Sequence, residues 1–251
     1  MVEFQNHIMF PTHAVAPPGP LPPGSTRVSI AAPGGNQLHG VHIAGVSSPA
    51  MPRTLILGFG GNAWNAEDAA TYLRGIYPSA DIVAFHYRGY RPSTGTPSAE
   101  ALLEDAPLVY DFAVARIHPQ RTIAVGFSIG SGVAAGLAGE RPVNGLILVT
   151  PFDSLKAVAS NLYPFLPVAS LFRHDMDAAA ALKASQVPTA IIAAEHDTIV
   201  APARTDGLRA SVGHLVFDRT IPNAGHNDIY HRPEFRDAMQ AALAAVGPER
   251  D

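Results

Sequence analysis

The sequence predicts an α/β fold: a mostly parallel, doubly wound sheet that opens on an antiparallel hairpin and carries a short cap. Three observations predict it. Five short, continuous apolar runs recur at 54–58, 82–85, 122–126, 146–150 and 189–194. Such runs suit parallel strands buried on both faces. Helix-like segments at 66–75, 99–117, 129–138 and 202–210 separate them, which is the alternation of a sheet built from βα units. Ahead of these lie two β-rich stretches, 27–31 and 38–44, around Pro33-Gly34-Gly35-Asn36, a hairpin signal.

In chain order, residues 1–26 are Pro-rich and aperiodic and read as an extended N-terminal arm. Phe4, Ile8, Met9 and Phe10 are the residues that could dock it on the body. One domain, 27–251, follows. The segment 161–187 holds two prolines between two strand-like runs and is read as a short cap leaving the ligand end of the sheet. Its apolar residues Leu162, Tyr163, Phe165, Leu166, Leu171 and Phe172 either roof a substrate pocket or form the core of a small helix pair. A last strand is expected at 215–219 and a closing helix at 233–246.

Composition narrows the function classes. Of 251 residues, 47% are hydrophobic and 15% charged, enough apolar material for a large core. The formal net charge is −4 and no Lys/Arg run occurs, so nucleic acid is a poor partner. There is no cysteine, which excludes disulfides, thiolate metal sites and a Cys nucleophile. No 18-residue apolar stretch suggests a membrane span, and the N-terminus lacks the pattern of a secretory leader. The expectation is a cytoplasmic protein that works on a small molecule; self-association stays open.

The chemistry centres on Gly126-Phe127-Ser128-Ile129-Gly130, a G-x-S-x-G. The pentapeptide alone is common, but here a strand-like run precedes it and a small-residue helix pattern follows. A strand–Ser–helix turn strains the nucleophile's backbone, and flanking glycines avoid collision with the neighbouring helix. The sequence lacks the Lys of a phosphate-binding loop at this point. A serine hydroxyl needs a base, and His226 lies in a loop beyond the last expected strand. The base needs a carboxylate, and Asp197 follows the run at 189–194. His196, His214 and His231 rival His226, and Glu195 rivals Asp197; Asp228 stands too near His226 to be an obvious partner. The oxyanion donors are expected at the backbone N–H groups of Ile129 and Asn62, the latter in the Gly-rich loop after the run at 54–58. Trp64, just past that loop, either lines an acyl pocket or packs a helix. Phe127, Tyr163 and Phe165 are further candidate substrate contacts.

These motifs resemble the α/β-hydrolase superfamily. Within it the sequence is most similar to small serine hydrolases with an HGNA-type oxyanion loop, depalmitoylase-like and related bacterial hydrolases. The resemblance rests on Gly60-Gly61-Asn62-Ala63, Tyr87-Arg88-Gly89-Tyr90, Ser93-Thr94-Gly95-Thr96-Pro97-Ser98, the elbow at 126–130, Pro151-Phe152-Asp153-Ser154-Leu155, Asp197-Thr198-Ile199-Val200 and Gly225-His226-Asn227-Asp228. It spans about 27–246. Two positions depart from the branch: Gly60 replaces the usual His, removing a brace of the oxyanion loop, and His86 stands where an acidic residue or Asn is common. The resemblance implies that Arg88 is a structural brace rather than an anion site. It also implies a serine hydrolase that cleaves carboxylic esters through a Ser-His-Asp acyl-enzyme, acting on a small-molecule acyl substrate with no metal and no cofactor. Thioester or amide hydrolysis by the same triad, and a non-catalytic binding protein, are the alternatives. Dehalogenase or epoxide hydrolase chemistry would need Asp at position 128.

Overall fold

A computed structural model describes residues 9–46, 52–165 and 175–247. Eight strands form one sheet in the order β1-β2-β4-β3-β5-β6-β7-β8. They are β1 (Ser25–Ala32), β2 (Asn36–Ile43), β3 (Thr54–Phe59), β4 (Asp81–Phe85), β5 (Arg121–Phe127), β6 (Gly145–Val149), β7 (Thr189–Ala194) and β8 (Leu215–Ile221). The helices are α1 (Ala66–Ile76), α2 (Ala99–Ile117), α3 (Ile129–Glu140), α4 (Leu155–Leu162), α5 (Ala178–Leu182), α6 (Pro202–Ser211) and α7 (Pro233–Val246). The chain divides into two compact units, Met1–Ala124 and Val125–Asp251.

In the first unit, β1 and β2 pair antiparallel from Ser25↔Ile43 to Ala32↔Asn36. The turn between them puts Gly34 and Gly35 at φ +73° and +75°, a left-handed backbone that glycine adopts at no steric cost. β2 pairs antiparallel with β4, and β4 parallel with β3. Every residue of β3 and β4 is buried, which is why these strands read as unbroken apolar runs. Asn65 caps α1 by accepting from Glu67 N at 2.9 Å. Ser98 caps α2 by accepting from Ala101 N at 3.0 Å. Met9 and Phe10 of the arm are buried. Phe4 and Ile8 lie outside the described residues, as do Leu166, Leu171 and Phe172 of the cap segment.

In the second unit, β6–β7 and β7–β8 pair parallel. The closing helix α7 packs on β6, β7 and β8. β6 and β7 are buried throughout, whereas β8 at the end of the sheet buries only Ile221. Two short helices are not expected from the sequence: α4, beginning just ahead of the segment 161–187, and α5, inside it. Each starts on a cap: Ser154 accepts from Ala157 N at 3.3 Å, and Asp177 accepts from Ala180 N at 2.8 Å. A bridge joins Ser154 to Asp177, so the two helix starts fix one another.

Two buried groups make stability depend on pH on the acid side. Burial pushes the His86 imidazole down to about 4, against the raising influence of Glu67. The unfolded chain therefore binds the proton first, and His86 removes stability as pH falls from about 6.5 toward about 4. Burial would raise the Asp81 carboxyl, but hydrogen bonds from His42 and Arg53 outweigh it and bring it to about 2. Its contribution is present above 3.8 and fades as pH falls toward about 2. Urea unfolding is expected to lose up to about 3 kcal/mol through His86 between pH 7.5 and pH 4. His86→Asn should flatten that slope; an unchanged slope would remove His86 from the account.

Candidate active site

The second unit brings Ser128, Asp197 and His226 together. Ser128 joins β5 to α3 with φ +51° and ψ −117°, a conformation most side chains avoid. The turn is tight. A Cβ on Gly126 would lie 2.3 Å from Gly130 O and 2.6 Å from Ser131 Cα, both immovable backbone atoms. Ser128 N donates to Val149 O at 2.9 Å, pinning the elbow to the end of β6. Ser131 adds a brace the sequence reading missed: buried, it donates from Oγ to Ser128 O at 2.6 Å. Its place three residues after the nucleophile, within one helical turn, was the available signal.

Asp197 follows β7 and is fixed by its own turn. Its Oδ1 accepts from Ile199 N at 2.9 Å and from Val200 N at 2.7 Å. Its Oδ2 is left for His226 Nδ1, at 2.7 Å. On the other side of the ring, His226 Nε2 lies 3.0 Å from Ser128 Oγ. Asp197 and His226 are 7% and 8% exposed, whereas Ser128 is half-buried and reachable. The shielding strengthens the carboxylate–imidazole bond, and the Nδ1–H it selects leaves Nε2 as an acceptor for the hydroxyl proton.

The rivals go elsewhere. Glu195 Oε2 accepts from Asn223 N at 2.7 Å. His214 Nδ1 contacts Gln186 O at 3.0 Å, and the exposed His196 faces Glu195 at 3.7 Å. His231 lies in the short turn Ile229–His231. Among the described residues, no group of three His, Cys, Asp or Glu side chains is placed to hold a metal ion, and no helix is long and apolar enough to cross a membrane.

A crystal structure of an alpha-beta hydrolase from Vibrio vulnificus superposes with a TM-score of 0.70, covering 97% of this chain and 91% of that one at 21% identity. The fold is that of the α/β-hydrolases. An uncharacterized protein of Mycobacterium tuberculosis is 29% identical over 228 residues, 87% of this chain and 79% of its own. The lysophosphatidylserine lipase of Danio rerio is 31% identical over 200 residues; the match takes in 66% of this chain and about half, 51%, of that protein. No family model matches the sequence.

The first unit of the chain holds the loop expected to supply the second oxyanion donor. Asn62 spends its side chain on structure: Nδ2 donates to Met9 O, and Oδ1 accepts from Tyr90 OH at 2.6 Å. The Tyr87 hydroxyl donates to Gly60 O at 2.8 Å. Two tyrosines, their rings edge-on at 5.8 Å, thus brace the loop at Gly60 and Asn62. Arg88 is committed to carboxylates, donating from Nε to Asp105 Oδ2 at 3.1 Å and from Nη2 to Glu104 Oε2 at 3.3 Å. His86 braces the same region through its backbone, with His86 N donating to His39 O and Ser93 Oγ donating to His86 O, both at 2.8 Å.

The candidate substrate contacts fare unequally. Trp64 is half-buried with its ring 5.4 Å from Tyr72 of α1. Phe127 is 0% exposed, its ring edge-on to Tyr230 at 5.9 Å, and offers a ligand no surface in this state. Tyr163 is half-buried at the end of α4, and Phe165 is 99% exposed.

Proposed function

We propose that this chain is a serine hydrolase that cleaves carboxylic esters through an acyl-enzyme, with Ser128 as nucleophile, His226 as general base and acid, and Asp197 as its orienting carboxylate. The observation that carries the reading is the unbroken relay from Asp197 Oδ2 to His226 Nδ1 at 2.7 Å and from His226 Nε2 to Ser128 Oγ at 3.0 Å. In the first step Ser128 Oγ attacks the ester carbonyl while His226 Nε2 takes its proton. The imidazolium then protonates the departing alkoxide. Water attacks the acyl-enzyme in the second step, again giving its proton to His226, and the collapsing intermediate releases the acid and restores Ser128. The oxyanion is assigned to the backbone N–H of Ile129, at the positive end of α3, and to that of Asn62. Ester chemistry is favoured because the Danio rerio relative is a lipase.

A panel of p-nitrophenyl esters from acetate to palmitate tests the reading, with Ser128→Ala as the blank. Turnover is expected with a preference for one range of acyl length. Absence of turnover across the panel, together with no labelling of Ser128 by a fluorophosphonate, would overturn it.

A further inference from the structure

The base of this site sits on a loop, Asn223 to Asp228, and side chains outside the triad fasten that loop at several points. On one side, Arg232 Nη2 donates to Asn223 O at 2.6 Å and also to Asp228 Oδ2. Asp228 Oδ1 in turn accepts from Gly225 N at 2.6 Å. The pair thereby holds the backbone three residues before His226 and one residue before it. On the other side, Glu195 Oε2 accepts from Asn223 N at 2.7 Å, and His196 N donates to Ala224 O at 2.8 Å. Those two residues immediately precede Asp197. Asn223 itself sits at φ +53°, a conformation that needs holding, and it is gripped at both its N–H and its C=O.

We infer that Asp228 and Arg232 form a clasp that positions His226 between Asp197 and Ser128. The inference rests on the catalytic reading proposed above. An exposed ion pair contributes little to stability. This one fixes a loop whose imidazole must meet partners on both ring nitrogens, where a displacement of about 1 Å costs on the order of 100-fold in rate. The Gly225 N–H, and then Arg232, hold the Asp228 carboxyl below the usual carboxylate range, so the clasp stays ionised at neutral pH. Asp228 and Arg232 stand four residues apart and are positioning residues; neither is within reach of the reacting atoms through any contact described above.

Three variants test the clasp: Asp228→Asn, Arg232→Gln and Arg232→Lys. The first two are expected to lower kcat for ester hydrolysis on the order of 10- to 100-fold with KM unchanged. Both should move the acid limb of the kcat/KM profile to lower pH, because a loosened Asp197 contact stabilises the imidazolium less. Arg232→Lys should recover most of kcat, since one ammonium can reach both acceptors. A purely electrostatic effect would move the acid limb in opposite directions for the two charge removals, and that result overturns the clasp. So does unchanged kcat in both, or a loss that follows the unfolded fraction in a thermal melt. Proton NMR supplies a readout independent of turnover. The downfield Nδ1 proton of His226 is expected to broaden or vanish in Asp228→Asn, and its persistence unchanged would also overturn the inference. Failure of the catalytic reading looks different: the wild-type chain would neither turn over esters nor label at Ser128, while the NMR comparison would still report on the clasp.

Discussion

Ser128→Ala is expected to reduce ester hydrolysis by on the order of 10^5-fold or more, to the level that binding and the oxyanion donors alone provide. The size of the effect follows from the arrangement. His226 Nε2 has the Ser128 hydroxyl as its partner at 3.0 Å, and Asp197 has already fixed the ring from behind. Removing the oxygen removes the bond-forming atom, and a water in its place would lack a covalent tether to the elbow. The fold should tolerate the change. The Cβ is kept at the strained φ of +51°, and the anchoring bonds from Ser128 N to Val149 O and from Ser131 Oγ to Ser128 O are made by the backbone of residue 128. Steady-state kinetics, intact-mass analysis after fluorophosphonate treatment and a thermal melt check the prediction together. Undiminished turnover by a folded Ser128→Ala protein would remove Ser128 from the chemistry.

The parts of the structure legible from sequence are those whose physics is local or one-dimensional. β3, β4, β6 and β7 are buried on both faces, so their residues had to be apolar without alternation, and the runs located them. The elbow was legible because a tight strand-to-helix turn demands glycine where Gly130 O would meet any Cβ. The order Ser, Asp, His located the loops that meet, although 98 residues separate Ser128 from His226. What escaped was of two kinds. The helices α4 and α5 are short and depend on the caps Ser154 and Asp177, weak signals amid prolines. Tertiary polar contacts escaped as well. Nothing in the composition of residues 1–26 links Met9 O to Asn62, 53 positions away. Likewise, nothing in the sequence links Arg232 to the carbonyl of Asn223, nine positions away, or Asp228 to the N–H of Gly225.

Asp197→Asn is expected to lower kcat on the order of 10^4-fold while leaving the fold and KM nearly intact. The reason can be read from the hydrogen bonds Asp197 makes. Its Oδ1 is fixed by two backbone donors, Ile199 N at 2.9 Å and Val200 N at 2.7 Å. An asparagine has one oxygen and one NH2, and those two donors require the oxygen to stay where Oδ1 is. The NH2 must then occupy the Oδ2 position, facing His226 Nδ1, which is 2.7 Å away in the wild type. A donor facing Nδ1 turns that nitrogen into an acceptor, so the proton moves to Nε2. The hydroxyl of Ser128, 3.0 Å from Nε2, then meets an N–H instead of a lone pair and has no base. The defect is one of tautomer rather than position, which separates it from the clasp variants. Raising the pH should restore part of the rate, because hydroxide can take the serine proton directly. Asp197→Ala, which frees both the ring and the two backbone donors, should not reproduce the asparagine's locked tautomer. A downfield Nδ1 proton should be present in the wild type and absent in Asp197→Asn. If Asp197→Asn kept wild-type kcat at neutral pH, Asp197 would be no more than the cap of its own turn, and the orienting carboxylate would have to be sought elsewhere.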